Sequence, residues 1–184
     1  IIEKRKATKI MEPIKVLEDL SPSLQDYLEV IFHLEKANRV ARAKDIAEEM
    51  SVKRGTVTGA LKALSERDLI NYTPYNYITL TATGRKLAKE LVHRHETLKE
   101  FFIVAFQMDP EAADANACRV EHAIDPIAFE KFVHFLEFLK SCPRAGDDWL
   151  ESFASFCTEG AKPADDCEQC LEACLDRLRS AAPA

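Results

Sequence analysis

Residues 43–80 read AKDIAEEMSVKRGTVTGALKALSERDLINYTPYNYITL, and the order of elements in this stretch decides the fold. Ala43–Met50 reads as a short helix. Ser51 is the expected cap of a second helix, from about Lys53 to Arg67, with Val57, Leu61 and Leu64 recurring at three- and four-residue spacing on its inward face. Two extended runs follow, Leu69–Thr73 and Tyr77–Leu80, with Pro74-Tyr75-Asn76 at the turn between them. Upstream, Ser21 caps and Pro22 opens a helix to about Lys36, striped by Leu24, Tyr27, Leu28, Ile31 and Leu34. Helix, short helix, helix and hairpin in that order predict a winged helix-turn-helix.

Beyond the hairpin the pattern is purely helical. Thr81 or Thr83 caps a long helix carrying Leu87, Leu91, Leu98, Phe102 and Phe106. Asp109-Pro110 ends it and starts another, to about Ala123; Asp125-Pro126 repeats the device before a helix rich in Phe129, Phe132, Phe135, Leu136 and Leu139. Pro143-Arg144-Ala145-Gly146 reads as a linker to two short tail helices, Asp147–Phe156 and Asp165–Arg179. The fold class expected is mainly α. An N-terminal extension (1–20, of which 1–10 stay outside the fold argument because Met11 reads as a start) precedes a winged helix-turn-helix domain (21–84), a helical domain (85–141) and a Cys-rich helical tail (142–184).

At 184 residues the chain is long enough for one compact domain or two small ones. With 47% hydrophobic and 30% charged residues, it has the balance of a globular protein rather than a fibrous or low-complexity one. The apolar runs are far shorter than the roughly 20 residues that span a bilayer, and no secretory signal opens the chain, so the expected location is cytoplasmic with no membrane partner. Charge is unevenly divided. Residues 1–95 hold 17 Lys and Arg against 13 Asp and Glu, a net of +4, whereas residues 96–184 hold 8 against 18, a net of −10. A basic front and an acidic back suit a chain that offers one end to a polyanion.

The residues for such an offer lie where a recognition helix begins. Lys53 and Arg54 bring positive charge, Thr56 and Thr58 are short polar groups suited to phosphate or a thymine methyl, and Lys62 lies one turn beyond. Gly55 and Gly59 each cost about 1 kcal/mol against alanine inside a helix, a cost that makes sense where another backbone comes close. In the wing, Tyr75 and its neighbours Tyr72 and Tyr77 are candidates for sugar and phosphate contacts. The partner expected is double-stranded DNA.

A second set of residues has metal-ligand chemistry. Asp26 and Glu29 share a face of the first helix, His95 lies along the long helix, and Cys118, Glu121 and His122 stand at i, i+3 and i+4 on the next. Carboxylate, imidazole and thiolate are ligand types for a divalent first-row cation. Spacing alone leaves the alternative that these are a solvated acidic face and a small core cysteine. Five of the six cysteines cluster at the C-terminal end: Cys142, Cys157, Cys167, Cys170 and Cys174. Cys167, Cys170 and Cys174 fall on one helix face, and with Cys157 or Cys142 they would form a second site for Zn2+ or an iron–sulfur cluster; the alternative is a stripe of small packed thiols.

Residues 20–144 resemble the diphtheria-toxin-repressor and manganese-transport-regulator family of metal-dependent transcriptional repressors. The resemblance rests on Ser21-Pro22-Ser23-Leu24-Gln25-Asp26-Tyr27-Leu28-Glu29, on Lys44-Asp45-Ile46-Ala47 and on Leu80-Thr81-Ala82-Thr83-Gly84-Arg85. Arg94-His95-Glu96 and Ala117-Cys118-Arg119-Val120-Glu121-His122 complete it. It implies a homodimer that binds palindromic operators when Fe2+ or Mn2+ is present, with residues 85–141 as the metal-binding and dimerisation domain. Asp26, Glu29, His95, Cys118, Glu121 and His122 are the implied metal ligands.

The set is mixed. Asp26 matches the manganese regulators and Cys118 the iron regulators; the thiolate tips the expectation slightly to Fe2+. Lys99 and Asp114 stand where iron regulators have a glutamate and a histidine of an ancillary site, and Gly59 replaces a polar residue often used to read bases. The tail is too short for the β-barrel that iron regulators often carry.

The function expected is therefore a metal-gated repressor of metal-homeostasis genes, not an enzyme and without a small-molecule substrate. The alternatives are a redox or iron–sulfur sensor working through the tail cysteines and, less well supported, a metal-dependent hydrolase.

Overall fold

The computed structural model describes residues 17, 19–141, 147–160, 168, 171–172, 175–176 and 179–180. Among them the chain forms α1 (Pro22–Asn38), α2 (Ala43–Glu49), α3 (Arg54–Ser65), β1 (Ile70–Asn71), β2 (Thr79–Leu80), α4 (Ala82–Phe106), α5 (Pro110–Glu121), α6 (Pro126–Ser141) and α7 (Asp147–Glu159). It divides into two compact units, residues 1–93 and 94–184, with the boundary falling inside α4. No helix among the described residues is long and apolar enough to cross a membrane.

The first unit is a winged helix-turn-helix. Ser21 caps α1 by accepting from the Leu24 amide, and Pro22 occupies the first turn, where its missing N–H costs nothing. Tyr27, Leu28 and Ile31 of α1 pack with Ile46 of α2, Val57, Leu61 and Leu64 of α3, and Leu69, Ile78, Leu87 and Leu91 in one apolar core. Burying each of the larger of these side chains contributes roughly 1.5–3 kcal/mol.

Two local expectations shift. Ser51 does not cap α3: it takes a left-handed backbone (φ 53°) in the turn, and Lys53 holds the cap position with no side-chain hydrogen bond. The wing strands shrink to an antiparallel pair with Ile70 opposite Leu80 and Asn71 opposite Thr79, extended by a bridge from Ala41 to Ile78. Beyond that pair Ile78 bonds to Ala41 rather than to the first wing strand, and Tyr75 in the turn takes a positive φ of 66°.

Two side-chain devices fix the wing to the helices. Glu35, buried at the end of α1, accepts from the Leu80 amide at 2.9 Å through one oxygen and pairs with Arg85 at 2.7 Å through the other. One carboxylate thus joins α1, β2 and the start of α4. Thr81 is the cap of α4, its hydroxyl accepting from the Gly84 amide at 3.0 Å. Gly84 itself is required by packing, since a β-carbon there would lie 1.9 Å from the Leu69 carbonyl oxygen.

Among the described residues the elements of the second unit are all helices. Asp109 caps α5 by accepting from the Glu111 and Ala112 amides, and Asp125 does the same for Ile127 and Ala128 at the start of α6. Leu98, Ala117 and Phe129 form one small core; Phe101, Ala105 and Leu139 form another, in which Phe101 stacks edge-on against Phe132 at 4.8 Å. The tail helix expected over Asp165–Arg179 lies mostly outside the described residues.

The close approach at Gly84 predicts that Gly84→Ala destabilises the first unit by about 1–3 kcal/mol, the usual cost of overpacking. Thermal unfolding followed by circular dichroism should show a midpoint several degrees below that of the unaltered chain.

Candidate metal centre and nucleic-acid interface

α5 places Ala113 and Ala117 inward and so turns the side chains of Glu121 and its neighbours toward α4. Cys118, Glu121 and His122 each bring one ligand atom to within 4.8 Å of the others, the outcome that i, i+3, i+4 spacing on a helix favours. Glu121 is 1% exposed. A carboxylate taken out of water costs several kcal/mol unless positive charge or hydrogen bonds compensate it.

The compensation is imidazole. His95 Nδ1 lies 2.8 Å from Glu121 Oε2, and His122 Nε2 lies 3.3 Å from Glu121 Oε1. The other nitrogen of His95 lies 3.2 Å from Asp114 Oδ1, and Lys99 Nζ donates to that same oxygen at 2.6 Å. His95 therefore sits between two carboxylates. Its pKa rises from 6.5 to about 9, first through the hydrogen bond to Glu121, opposed by burial, with the charge of Glu121 and the contact to Asp114 adding to the rise. Lys99 and then His95 hold Asp114 below the ordinary carboxylate range.

These groups fit a divalent cation. Oxygen, nitrogen and sulfur donors converge on a buried negative charge, a mixed set that suits a divalent first-row cation, with the thiolate favouring borderline ions such as Fe2+ or Zn2+ over the harder Mn2+. Asp26 and Glu29 stand one turn apart on α1 in the first unit, both half-buried. Cys118 and Cys157 carry exposed thiols; Cys142, Cys167, Cys170 and Cys174 lie outside the described residues. In the sequence Asp114 and Lys99 stand out only as departures from the ancillary site of iron regulators. Their grip on His95 is visible in the fold, because it joins α4 to α5 across fifteen and nineteen residues of chain.

The other surface belongs to α3. Lys53, Arg54, Gly55, Thr56, Thr58, Gly59 and Lys62 are all exposed, while Val57, Leu61 and Leu64 anchor the opposite face. Lys53 gives α3 no side-chain cap, so its N-terminal end, the positive end of the helix dipole, is not closed by a capping oxygen, although the Thr56 amide donates to the Lys53 carbonyl at 2.9 Å. Thr58 returns its hydroxyl proton to the Arg54 carbonyl at 3.2 Å. A β-carbon at Gly55 or Gly59 would meet nothing within 4 Å, so no packing inside the chain calls for glycine at either position. At the wing tip Tyr75 stands fully exposed, and Arg42 lies 5.3 Å over the Tyr77 ring.

Comparison with known proteins agrees with both features. Residues 19–78 match the family described as iron dependent repressor, N-terminal DNA binding domain. Residues 81–150 match iron dependent repressor, metal binding and dimerisation domain. An HTH-type transcriptional regulator of Methanocaldococcus jannaschii is 34% identical over 122 residues, covering 66% of this chain and 98% of that protein. The HTH-type transcriptional regulator MntR of Shouchella clausii is 32% identical over 131 residues, covering 71% of this chain and 91% of its own.

Among solved structures, the manganese regulator SloR aligns with a TM-score of 0.58 at 28% identity, over 69% of this chain. A manganese-dependent transcriptional repressor in complex with manganese aligns at 0.55 and 27%, over 62%. The matches span 59% and 53% of those two longer chains.

Because the folded pKa of His95 lies above its unfolded value of 6.5, the stabilisation it gives is complete below about pH 6.5 and is lost as pH rises through about 9. In the presence of a chelator, the unfolding temperature should fall across that window. Glu121→Gln should flatten the decline, a comparison that differential scanning calorimetry at stepped pH makes directly.

Proposed function

The chain belongs to the diphtheria-toxin-repressor and manganese-transport-regulator family of metal-dependent transcriptional repressors, and on that premise we propose that it binds a palindromic operator as a homodimer only when its metal site is filled. It is a transcription regulator, not an enzyme. The observation that carries the reading is the convergence of Cys118, Glu121 and His122 around a buried negative charge, on a chain that also presents an exposed recognition helix.

In this proposal Asp26 and Glu29 join His95, Cys118, Glu121 and His122 as ligands. The winged domain of residues 21–84 then becomes tied to the metal-binding and dimerisation domain of residues 85–141. A bound divalent cation supplies the positive charge that both sets of carboxylates share. The donor set favours Fe2+ slightly over Mn2+, through the Cys118 thiolate. Tying the domains sets the spacing of the two recognition helices in the dimer, which must match half-sites about one helical turn, roughly 34 Å, apart. The ligands thus select the DNA-competent arrangement from a looser ensemble.

On the operator, Lys53, Arg54, Thr56, Thr58 and Lys62 contact phosphate and base edges, with Tyr75 at the wing. The genes so controlled are those of metal homeostasis, and the work is done in the cytoplasm where the DNA lies. The support for the DNA face is the exposure of these residues together with two helix glycines for which the folded chain itself has no packing use.

Fluorescence anisotropy under anaerobic, reducing conditions, on DNA from upstream of the gene and its neighbours, tests the proposal. Binding should require Fe2+ or Mn2+ and should vanish in Asp26→Ala and His122→Ala. Equal binding with and without metal contradicts it.

The glycines give an independent check. Gly59→Ala should raise the stability of the metal-free chain by up to about 1 kcal/mol while weakening operator binding. Unchanged DNA affinity would remove Gly59 from the interface.

A further inference from the structure

Glu121 and Asp114 hold the two nitrogens of His95 from opposite sides. Nδ1 faces Glu121, whose carboxylate is grouped with Cys118 and His122, whereas Nε2 faces Asp114, which is not in that group, at 3.2 Å. A ring held in this way presents one nitrogen to the ligand cluster and keeps its other N–H on a carboxylate. Asp114 is in turn tied down by the Lys99 ammonium, which donates to the same oxygen at 2.6 Å.

We propose that Asp114, held by Lys99, is a positioning residue for the metal site: it accepts from His95 Nε2–H and thereby fixes the tautomer and ring orientation that leave Nδ1 for the cation. This rests on the metal-binding reading given above and extends it to two residues that supply no ligand atom.

The physical reason is general. A metal-bound histidine donates its second ring N–H to a carboxylate or carbonyl, which raises the basicity of the ligating nitrogen and stops the ring from turning. Asp114 has the geometry for that role, and its position on α5, seven residues before Glu121, puts it two turns away on the same side of the helix as the ligand. Lys99 completes the arrangement by neutralising a carboxylate that would otherwise add negative charge beside the site. Its ammonium is a covalently tethered cation, and it occupies Asp114 at a contact short enough to compete with a second metal ion for the same oxygen.

The role predicts how the two side chains divide the work. Without Asp114, His95 is free to present either nitrogen, and affinity falls while the number of ions bound stays the same. Without Lys99, Asp114 keeps its contact with His95 but becomes an open carboxylate, and the smaller effect falls on how firmly Asp114 is held.

The test uses the full chain, stripped of metal under reducing conditions and titrated with Mn2+ by calorimetry, with two readouts besides DNA binding. The first is affinity and stoichiometry for the unaltered chain and for Asp114→Ala, Asp114→Glu and Lys99→Met. The second is the His95 tautomer, read from long-range proton–nitrogen correlation spectra of the Zn2+-loaded proteins.

Asp114→Ala should bind the same number of ions about 10- to 100-fold more weakly, the usual cost of removing such a partner. It should also lose the single Nε2–H tautomer. Asp114→Glu should recover much of both, and Lys99→Met should lose less affinity than Asp114→Ala.

Unchanged affinity and tautomer in Asp114→Ala overturn the positioning role while leaving metal binding intact. Loss of a whole equivalent of metal overturns it too, because Asp114 is then a ligand. Absence of Mn2+ binding to the unaltered chain overturns the metal reading itself, and the positioning role with it.

Discussion

A buried negative charge governs the second half of this molecule. Glu121 is almost fully removed from water, and a lone carboxylate in that position would be costly; the fold answers with the hydrogen-bonded imidazole of His95, with His122 Nε2 3.3 Å away. The same demand for positive charge is what a divalent cation satisfies. In the metal-free chain His95 supplies part of that positive charge, and a cation held by the proposed ligands would supply it in turn. The packing of α5 through Ala113 and Ala117 keeps the charge where it is, because these small side chains bring the helix close to its neighbours.

The first unit is built so that one surface is left open. Its core draws on α1, α2, α3, the wing and the start of α4, and the carboxylate of Glu35 and the bare Cα of Gly84 lock the wing against that core. What remains outward on α3 is short, basic or polar. A rigid body with one such helix face binds a polyanion without rearranging itself. In the proposed mechanism regulation acts on where that body is placed in the dimer, a role for which the proposed ligands, divided between the two domains, are suited.

The parts of this fold that were legible in the sequence are those fixed by local chemistry. Ser21-Pro22, Asp109-Pro110 and Asp125-Pro126 each pair a capping oxygen with a residue that has no N–H to satisfy, and all three helices begin there. The apolar spacing of Val57, Leu61 and Leu64 likewise reads directly as a buried stripe.

Ser51 misled because a serine before a helix is equally at home in the left-handed turn of a helix-turn-helix, and only the path of the chain decides between the two. The wing strands were drawn too long because β-propensity does not tell which neighbour a residue pairs with, and Ile78 pairs with Ala41 rather than with the first wing strand. The Cys118, Glu121 and His122 cluster was visible as spacing on one helix. The hold of Asp114 and Lys99 on His95 was not, since it depends on how α4 and α5 face each other, and no periodicity within either helix encodes that.

In the proposed mechanism, filling the metal site fixes the distance between the two recognition helices of the dimer. Pulsed electron–electron resonance measures that distance directly, with a genetically encoded spin label replacing the exposed Thr58 in each protomer and Zn2+ as a diamagnetic cation. The account predicts a broad distribution in the metal-free protein that narrows on adding Zn2+ to a value suited to half-sites about 34 Å apart, with no narrowing in Glu121→Gln. Distributions that coincide with and without metal would contradict it.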